Sequence, residues 1–243
     1  MQKEWFSSWF DSCYYHILYK HRDYSEASLF INNITDFLKL PSKAICWDLC
    51  CGKGRHSVYL NKKGFQVIGT DLSEQSILEA LKSENKTLEF YVHDMRRLFR
   101  TNYFDTVFNL FTSFGYFETK QDDLNVFSSV YKSLKPNGIF VFDYLNSEYV
   151  KQHLIEKEIK TIDGITFHLS KIMENNTVIK QIDFEDNGHC FHFEERVKLF
   201  DKSYFEALAK ECNLSILHTF GDYNLEEFNE KKSSRLILIL QKL

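Results

Sequence analysis

Three aspartates and two glycines in the first half of the chain have the types and the spacing of a nucleoside-binding site. Asp48 lies 23 residues before Asp71, and Asp94 follows after another 23 residues. A carboxylate about 20 residues beyond a glycine-rich turn can accept hydrogen bonds from ribose hydroxyls. Gly52 and Gly54 let the backbone turn tightly and approach a ligand that a side chain would block. The set predicts one pocket with carboxylates around its rim.

The same glycines distinguish between two kinds of cofactor. A fingerprint for a dinucleotide such as NAD requires a third glycine at position 57, where this chain has Ser57. The glycine-rich loop that would bind a pyrophosphate is therefore incomplete. A cofactor without phosphate requires only the glycine turn, acids for its amino and ribose groups, and an apolar slot for its base. S-adenosylmethionine meets these requirements and is the predicted cofactor.

Strand-like and helix-like segments alternate around these residues. The strand-like segments are residues 44–49, 66–70, 88–92, 105–111, 139–142, 214–220 and 236–240. The helical segments are residues 55–63, 73–82, 122–134 and 202–211, with Ser73 as a helix N-cap. Alternation of this kind predicts a parallel sheet, and the carboxyl ends of its strands bring the three aspartates to one edge.

Two further regions flank or interrupt this pattern. Residues 1–40 have aromatic and polar groups at helical spacing and predict an N-terminal helical lid. Residues 151–200 consist of short alternating runs with turn signals, which predict an inserted antiparallel β-sheet. Residues 41–150 and 201–243 then form the core domain. The turn signals are Asp163-Gly164, Asn175-Asn176 and Asp186-Asn187-Gly188.

Several stretches of the sequence resemble the motifs of class I S-adenosylmethionine-dependent methyltransferases. They are residues 48–54, 71–73, 93–95, 104–111 and 134–138. The resemblance implies a Rossmann-like α/β fold, with a seven-stranded, mostly parallel sheet that has helices on both faces. One departure is Cys50, which stands where many members have glycine or alanine. A narrower similarity, to sugar-amine N-methyltransferases, involves Tyr14, Tyr19, Arg22, Tyr24, residues 94–96 and residues 112–117.

The resemblance also implies which residues bind the cofactor. Asp71 would hold the ribose hydroxyls, Asp94 and Met95 would hold the adenine, and Gly52 and Gly54 would pass close to the methionine part. The lid would close over the site, and its arginine could pair with the cofactor carboxylate. The predicted cofactor-binding residues are Tyr14, Arg22, Asp48, Cys50, Gly52, Gly54, Asp71, Leu72, Asp94, Met95, Asn109, Phe111 and Phe114.

Methyl transfer from a sulfonium is an in-line displacement, so the protein mainly has to position donor and acceptor and exclude water. An amine acceptor needs little help from a base, whereas a hydroxyl or an acidic carbon needs a base near the methyl group. We expect a small-molecule acceptor, with either an amine or a hydroxyl as the methylated group. The candidate catalytic residues are Tyr116, Tyr144, His153 and His168.

Composition disfavours other classes of protein. The net charge is −4 and the isoelectric point is near 6.1, so tight binding to a nucleic acid backbone is not expected. No apolar run approaches the ~18 residues of a membrane span, and the start lacks the layout of a signal peptide, so a cytoplasmic location without membrane contact is expected. We expect the six cysteines to be reduced thiols, because their spacing is not that of a disulfide framework. His189 and His192 face opposite sides of a strand, and no metal site is predicted.

Two alternatives to a small-molecule methyltransferase stay open at this point. A non-catalytic module that binds S-adenosylmethionine would have the same fold and cofactor site. A nucleic acid methyltransferase is the weaker alternative, because residues 109–112 lack the Pro-Pro-aromatic slot of enzymes that methylate base amino groups. The expected assembly is a monomer or a homodimer.

Overall fold

The computed structural model describes residues 4–20 and 24–243. Its strands are β1 (Ile45–Leu49), β2 (Gln66–Asp71), β3 (Leu88–Val92), β4 (Phe104–Asn109), β5 (Leu134–Leu145), β6 (Lys157–Ile162), β7 (Ile165–Glu174), β8 (Thr177–Asp186), β9 (His189–Lys198), β10 (Leu214–Phe220) and β11 (Arg235–Lys242). Its helices are α1 (Trp5–Trp9), α2 (Cys13–Leu18), α3 (Tyr24–Leu38), α4 (Arg55–Lys62), α5 (Glu74–Ala80), α6 (Lys120–Ser133), α7 (Ser147–His153) and α8 (Lys202–Glu211).

Among the described residues, seven strands form a central sheet in the order β10-β11-β5-β4-β1-β2-β3. Strands β1 to β5 run parallel, and β11 runs antiparallel to both of its neighbours. Helices α3, α4 and α5 pack on one face, and α6 and α8 pack on the other. A sheet covered on both faces requires strands that are apolar throughout, as residues 236–240 are. The predicted Rossmann-like α/β fold is confirmed.

A second, antiparallel sheet packs its apolar face against the N-terminal helices. In residues 157–198, all of which are described, the strands β6, β7, β8 and β9 follow one another in sheet order. The tight turns between them have positive φ at asparagine, aspartate and glycine residues, as the turn signals require. Phe167, Ile182 and Phe184 on the inner face join Trp9 and Leu18 in one apolar cluster. This sheet therefore holds α1 and α2 next to the core.

The local structures predicted from the sequence are confirmed in part. The Ser73 hydroxyl accepts a hydrogen bond from the Ser76 amide and caps α5, as predicted. Pro136-Asn137-Gly138 has the sequence of a turn that leads into the strand predicted at residues 139–142. These residues instead lie inside β5, where residues 135–138 bulge out and pairing with β4 resumes at Ile139. Helix α7 crosses residue 150, where the sequence indicates the start of the insertion. The division into lid, core and insertion stays a prediction.

In the part of the chain that the structure describes, no helix combines the length and the apolar character that crossing a membrane requires.

Candidate functional site

A cavity of about 1440 Å³ lies at the carboxyl ends of the parallel strands. The residues that follow β1, β2, β3 and β4 form its floor. Its roof is formed by α1, α2 and the face of β9 that contains Glu195 and Val197. Ligands of open α/β sheets bind at this edge because the loops that follow the parallel strands converge there. The fold thus brings the predicted rim of carboxylates and a separate aromatic roof to one cavity.

The loop between β1 and α4 depends on two left-handed glycines that have different surroundings. A Cβ on Gly54, at φ +80°, would come within 2.7 Å of the Phe90 ring, so this glycine is required by packing beneath the loop. A Cβ on Gly52, at φ +55°, would meet no described atom within 4 Å. The backbone at Gly52 therefore borders open space in the cavity, where a ligand can approach it.

Asp48 is buried at the end of β1 and holds the start of α4. Its Oδ2 accepts a hydrogen bond from the Ser57 hydroxyl at 2.5 Å, and the Ser57 amide donates to the same carboxyl. Burial raises the pKa of Asp48 to about 7 despite these hydrogen bonds. Asp48 borders the cavity, and its visible role is to fix the turn that carries Gly52 and Gly54.

Asp71 ends β2 and connects two loops of the cavity floor. Its Oδ2 accepts a hydrogen bond from the Gly52 amide at 2.8 Å, and its Oδ1 accepts one from the Ser73 amide at 2.9 Å. Burial raises the pKa of Asp71, and the backbone hydrogen bonds oppose that effect. A carboxylate oxygen has more than one acceptor position, so Asp71 can still receive hydroxyl groups from a ligand in the cavity. Leu72 borders the same space.

Asp94 follows β3 and forms a charged network with the N-terminal segment. The Arg96 guanidinium donates to both oxygens of Asp94, at 3.0 and 2.7 Å, and to both oxygens of Glu4, at 2.9 and 3.0 Å. Burial alone would raise the pKa of Asp94, but the hydrogen bonds and charge of Arg96 lower it overall. Met95 packs beside Cys50, with their sulfur atoms 3.4 Å apart. The Asp94 carboxylate is thus ionised, and Arg96 links it to Glu4 in the N-terminal segment.

This donor set fits S-adenosylmethionine. The cavity offers carboxylates for hydroxyl and amino groups, and it offers the open backbone at Gly52. The Asn109 Oδ1 atom has no hydrogen-bond partner among the described residues, but it is fully buried beneath the floor and does not line the cavity. The residues suited to hold the cofactor are Gly52, Asp71, Leu72, Asp94 and Met95.

The structure brings most of the predicted site residues to the cavity. The predicted residues that line it are Asp48, Cys50, Gly52, Asp71, Leu72, Asp94, Met95, Phe111 and Tyr116. Cys50 adopts a φ of +64°, so the residue that replaces the usual glycine or alanine keeps a left-handed turn. Burial and the neighbouring aspartates raise the pKa of the Cys50 thiol, which therefore stays protonated. The roles of these residues remain proposals.

Four other predicted cofactor residues, all of them described, lie outside the cavity lining. Tyr14 packs on Phe184 and donates its hydroxyl to Asp186 at the far end of the antiparallel sheet. Asn109 and Phe114 are fully buried beneath the floor. Gly54 lies below the loop against the Phe90 ring, and Arg22 lies outside the described residues.

Three of the four candidate bases are also placed away from the cavity. Tyr144 is fully buried among phenylalanines, and its hydroxyl donates to the Lys198 carbonyl. His153 is exposed at the end of α7 and stacks on Tyr149. His168 is exposed on the outer face of β7, because strand side chains alternate and its neighbours Phe167 and Leu169 face inward. The fourth candidate, Tyr116, lines the cavity, and its hydroxyl donates to the Thr112 carbonyl.

The roof contains cavity residues that sequence reasoning missed. They include Trp5, Phe10, Tyr15, His16 and Glu195. Arg235, at the start of β11, was also missed and borders the cavity outside the roof, whereas Tyr19, which the sequence singled out, lines the roof. Burial lowers the pKa of His16 to about 4, with Lys53 adding to the effect, so its imidazole is neutral at neutral pH. No local signal marks these residues, since they come from short helices and from strands far along the chain.

Glu195 is the acid of the roof, and its carboxylate is held by surrounding donors. Its Oε1 accepts hydrogen bonds from Trp9 Nε1 and from the Tyr19 hydroxyl, both at 2.7 Å. Lys180 Nζ donates to the Tyr19 oxygen at 2.6 Å and lies 3.7 Å from Glu195 Oε2. The side chain of Glu195 is only 15% exposed. The antiparallel sheet thus places a fixed carboxylate among aromatic rings, opposite the cofactor floor.

Comparisons with known proteins point to one family. A family model described as a methyltransferase domain matches residues 19–219. YqeM of Bacillus subtilis (strain 168), named as a methyltransferase, is 29% identical over 215 residues, which are 84% of this chain and 86% of YqeM. A dTDP-3-amino-3,4,6-trideoxy-alpha-D-glucopyranose N,N-dimethyltransferase of Streptomyces venezuelae is 24% identical over 82% of this chain and 87% of its own length. A glycine/sarcosine N-methyltransferase of Halorhodospira halochloris is 24% identical over 82% and 74%.

Solved structures share the fold. An S-adenosylmethionine-dependent methyltransferase from Clostridium acetobutylicum ATCC 824 aligns with a TM-score of 0.78 at 23% identity, over 94% of this chain and 96% of its own. An amino pentose methyltransferase from Micromonospora echinaspora, solved with S-adenosylmethionine bound, aligns with a TM-score of 0.70 at 15% identity, over 96% and 98%. At these identities the likeness concerns the arrangement of the elements.

Proposed function

We propose that this chain, which belongs to the methyltransferase domain family, transfers the methyl group of S-adenosylmethionine to an amine nitrogen of a small molecule. Membership of the family rests on the match over residues 19–219, and the dependence on S-adenosylmethionine follows from it. The proposal concerns the acceptor. Relatives named for amino sugars, glycine and sarcosine make an amine the first class to examine.

The observation that carries the proposal is Glu195 in the aromatic roof. A cationic amine is attracted both by a carboxylate and by the faces of aromatic rings. Glu195 supplies the carboxylate, and Trp5, Tyr15 and Tyr19 line the same part of the cavity. Trp9 and Tyr19 hold Glu195 in place beside Lys180, whose Nζ lies 3.7 Å from Oε2, so the carboxylate offers a fixed position for a second ammonium group. We therefore assign the roof to the acceptor and the floor to the cofactor.

Positioning accounts for the chemistry of this arrangement. S-adenosylmethionine supplies an electrophilic methyl group when it is bound. Glu195 would hold the ammonium form of the acceptor, and one proton must leave the nitrogen before its lone pair can attack. The cavity needs no strong base for that step, since amines lose this proton to water or to a carboxylate. Phe10 and Tyr116 would exclude water from the space between floor and roof.

Methyl transfer to matched acceptors tests the proposal. The assay would follow a radiolabelled methyl group from S-adenosylmethionine into amino sugar nucleotides, glycine and sarcosine, beside analogues with a hydroxyl in place of the amine. Glu195→Gln removes the roof charge, and we expect the acceptor KM to rise about tenfold or more, since hydrogen bonds to charged groups contribute roughly 1.5 to 3 kcal/mol. The affinity for S-adenosylhomocysteine should not change.

Glu194→Gln is the matched control. Glu194 is the preceding residue on β9, faces the other side of the sheet and pairs with Arg196 at 2.7 Å. Its substitution should leave the acceptor KM unchanged. Transfer only to hydroxyl analogues, or equal effects of the two substitutions, would refute the amine proposal. Tight cofactor binding without transfer to any acceptor would instead favour a non-catalytic binding module.

A further inference from the structure

Two consecutive residues in the segment that follows β4 have an unfavourable backbone conformation. Phe111 has a φ of +58° and Thr112 a φ of +62°, and both border the cavity. The left-handed region is disfavoured for residues with a Cβ, and most strongly for β-branched ones such as threonine. Such a conformation persists only where the surrounding structure holds it.

A buried ion pair provides that support. Asp143 Oδ2 accepts a hydrogen bond from the Phe111 amide at 2.7 Å, and the Asp143 carbonyl accepts one from the Thr112 amide at 3.1 Å. Arg235 Nε donates to Asp143 Oδ1 at 2.8 Å, and its terminal nitrogen donates to Thr112 Oγ1 at 2.9 Å. Asp143 is fully buried in β5. The pair thus binds the backbone and the side chain of the left-handed segment at once.

The left-handed segment shapes both sides of the cavity. The Phe111 ring lies 4.8 Å from the Arg55 guanidinium and 5.0 Å from the His56 ring, at the start of α4 on the cofactor side. The Thr112 carbonyl accepts the Tyr116 hydroxyl, and the Tyr116 ring lies 5.5 Å from Trp5 in the roof. A change at residues 111 and 112 would therefore move groups on both sides.

We propose that Asp143 and Arg235 are positioning residues for methyl transfer. Their ion pair keeps Phe111 and Thr112 left-handed, and this conformation places Phe111 beside the cofactor floor and Tyr116 against the roof. This role does not depend on the identity of the acceptor, since residues 111 and 112 border the cavity that any acceptor would enter. It can be tested without an acceptor.

Amide hydrogen exchange and cofactor affinity report on the pair. Arg235→Lys keeps the charge but cannot make both hydrogen bonds of the guanidinium. We expect exchange in residues 110–117 to become at least about tenfold faster, and the Kd for S-adenosylhomocysteine to rise about tenfold as Phe111 leaves its place. Arg196→Lys, which changes an exposed ion pair, is the matched control and should leave both quantities as they are in the unaltered protein.

Substitutions at Thr112 separate support of the backbone from a general loss of stability. Thr112→Val and Thr112→Gly both remove the hydroxyl that Arg235 contacts, but only glycine tolerates the left-handed conformation. We expect fast exchange with valine and slow exchange with glycine, after correction for intrinsic rates. Adding Thr112→Gly to Arg235→Lys should restore the cofactor Kd to within about threefold of the original value.

Three outcomes would overturn the proposal. The first is unchanged exchange and affinity in Arg235→Lys. The second is equal exchange in Thr112→Val and Thr112→Gly. The third is failure of Thr112→Gly to restore affinity in the double variant. The comparison at Thr112 decides the question even if Arg235→Lys does not fold.

Discussion

Replacement of Asp71 by alanine examines the cofactor floor most directly. The substitution removes the acceptor of the Gly52 amide and of the Ser73 amide, both of which belong to the floor of the cavity. It also removes the carboxylate that is predicted to hold the ribose hydroxyls. Cofactor binding should therefore weaken both through the lost contact and through a looser Gly52 loop.

The size of the effect follows from the kind of hydrogen bond. A hydrogen bond to a charged acceptor contributes about 1.5 to 3 kcal/mol, which corresponds to a Kd roughly 10 to 150 times higher after Asp71→Ala. Asp71→Asn should have a smaller effect, because the amide oxygen can replace one carboxylate oxygen. The amide NH2 cannot accept from the second backbone N–H, so the variant should still bind more weakly than the original protein.

Calorimetric titration with S-adenosylmethionine and S-adenosylhomocysteine measures these changes. Asp105→Ala is the matched control, because Asp105 accepts the Ile45 amide at 2.8 Å but lies at the opposite edge of the sheet. The control should lose stability and keep its cofactor affinity. An unchanged Kd in Asp71→Ala, or an equal loss in Asp105→Ala, would refute the assignment of Asp71 to the cofactor.

Four further substitutions have distinct expected results. Gly54→Ala should lower the free energy of unfolding by about 2 kcal/mol or more through its clash with Phe90. Gly52→Ala should lower the free energy of unfolding by about 1 kcal/mol and should mainly weaken cofactor binding. Chemical denaturation and calorimetry check both substitutions, and the reverse pattern would contradict the cavity geometry. Burial raises the pKa of Asp123 from 3.8 to about 6, so the folded state favours its protonated form. The stability of the protein relative to Asp123→Asn should therefore fall as the pH rises through this window, and denaturation curves at several pH values that show a rise or no change would refute this. Tyr144→Phe should lose about 1 kcal/mol of stability but keep the rate of methyl transfer in the radiolabel assay, and a large loss of rate would restore Tyr144 as a candidate base.

The fold could be predicted because its signals are local. Helix and strand periods, the cap at Ser73 and the asparagine and glycine turns of residues 163–188 act within a few residues of one another. The even spacing of Asp48, Asp71 and Asp94 also sufficed to place them at one edge, because parallel strands joined by helices must end on the same side. The turn near Asn137 could not be distinguished from a bulge, since sheet pairing on both sides decides that difference.

Sequence by itself thus determined the α/β class, the glycine turn and the floor acids, because each depends on short-range geometry. Only the tertiary structure decided which groups face the floor from above. Glu195, which faces the floor, and Arg235, which borders the cavity at the start of β11, come from strands far from the motifs, and no local pattern marks the side of the sheet that meets the cavity. Tertiary packing also buried Tyr144 and left His168 on an outer face, because a side chain's access to a site depends on what packs against its strand.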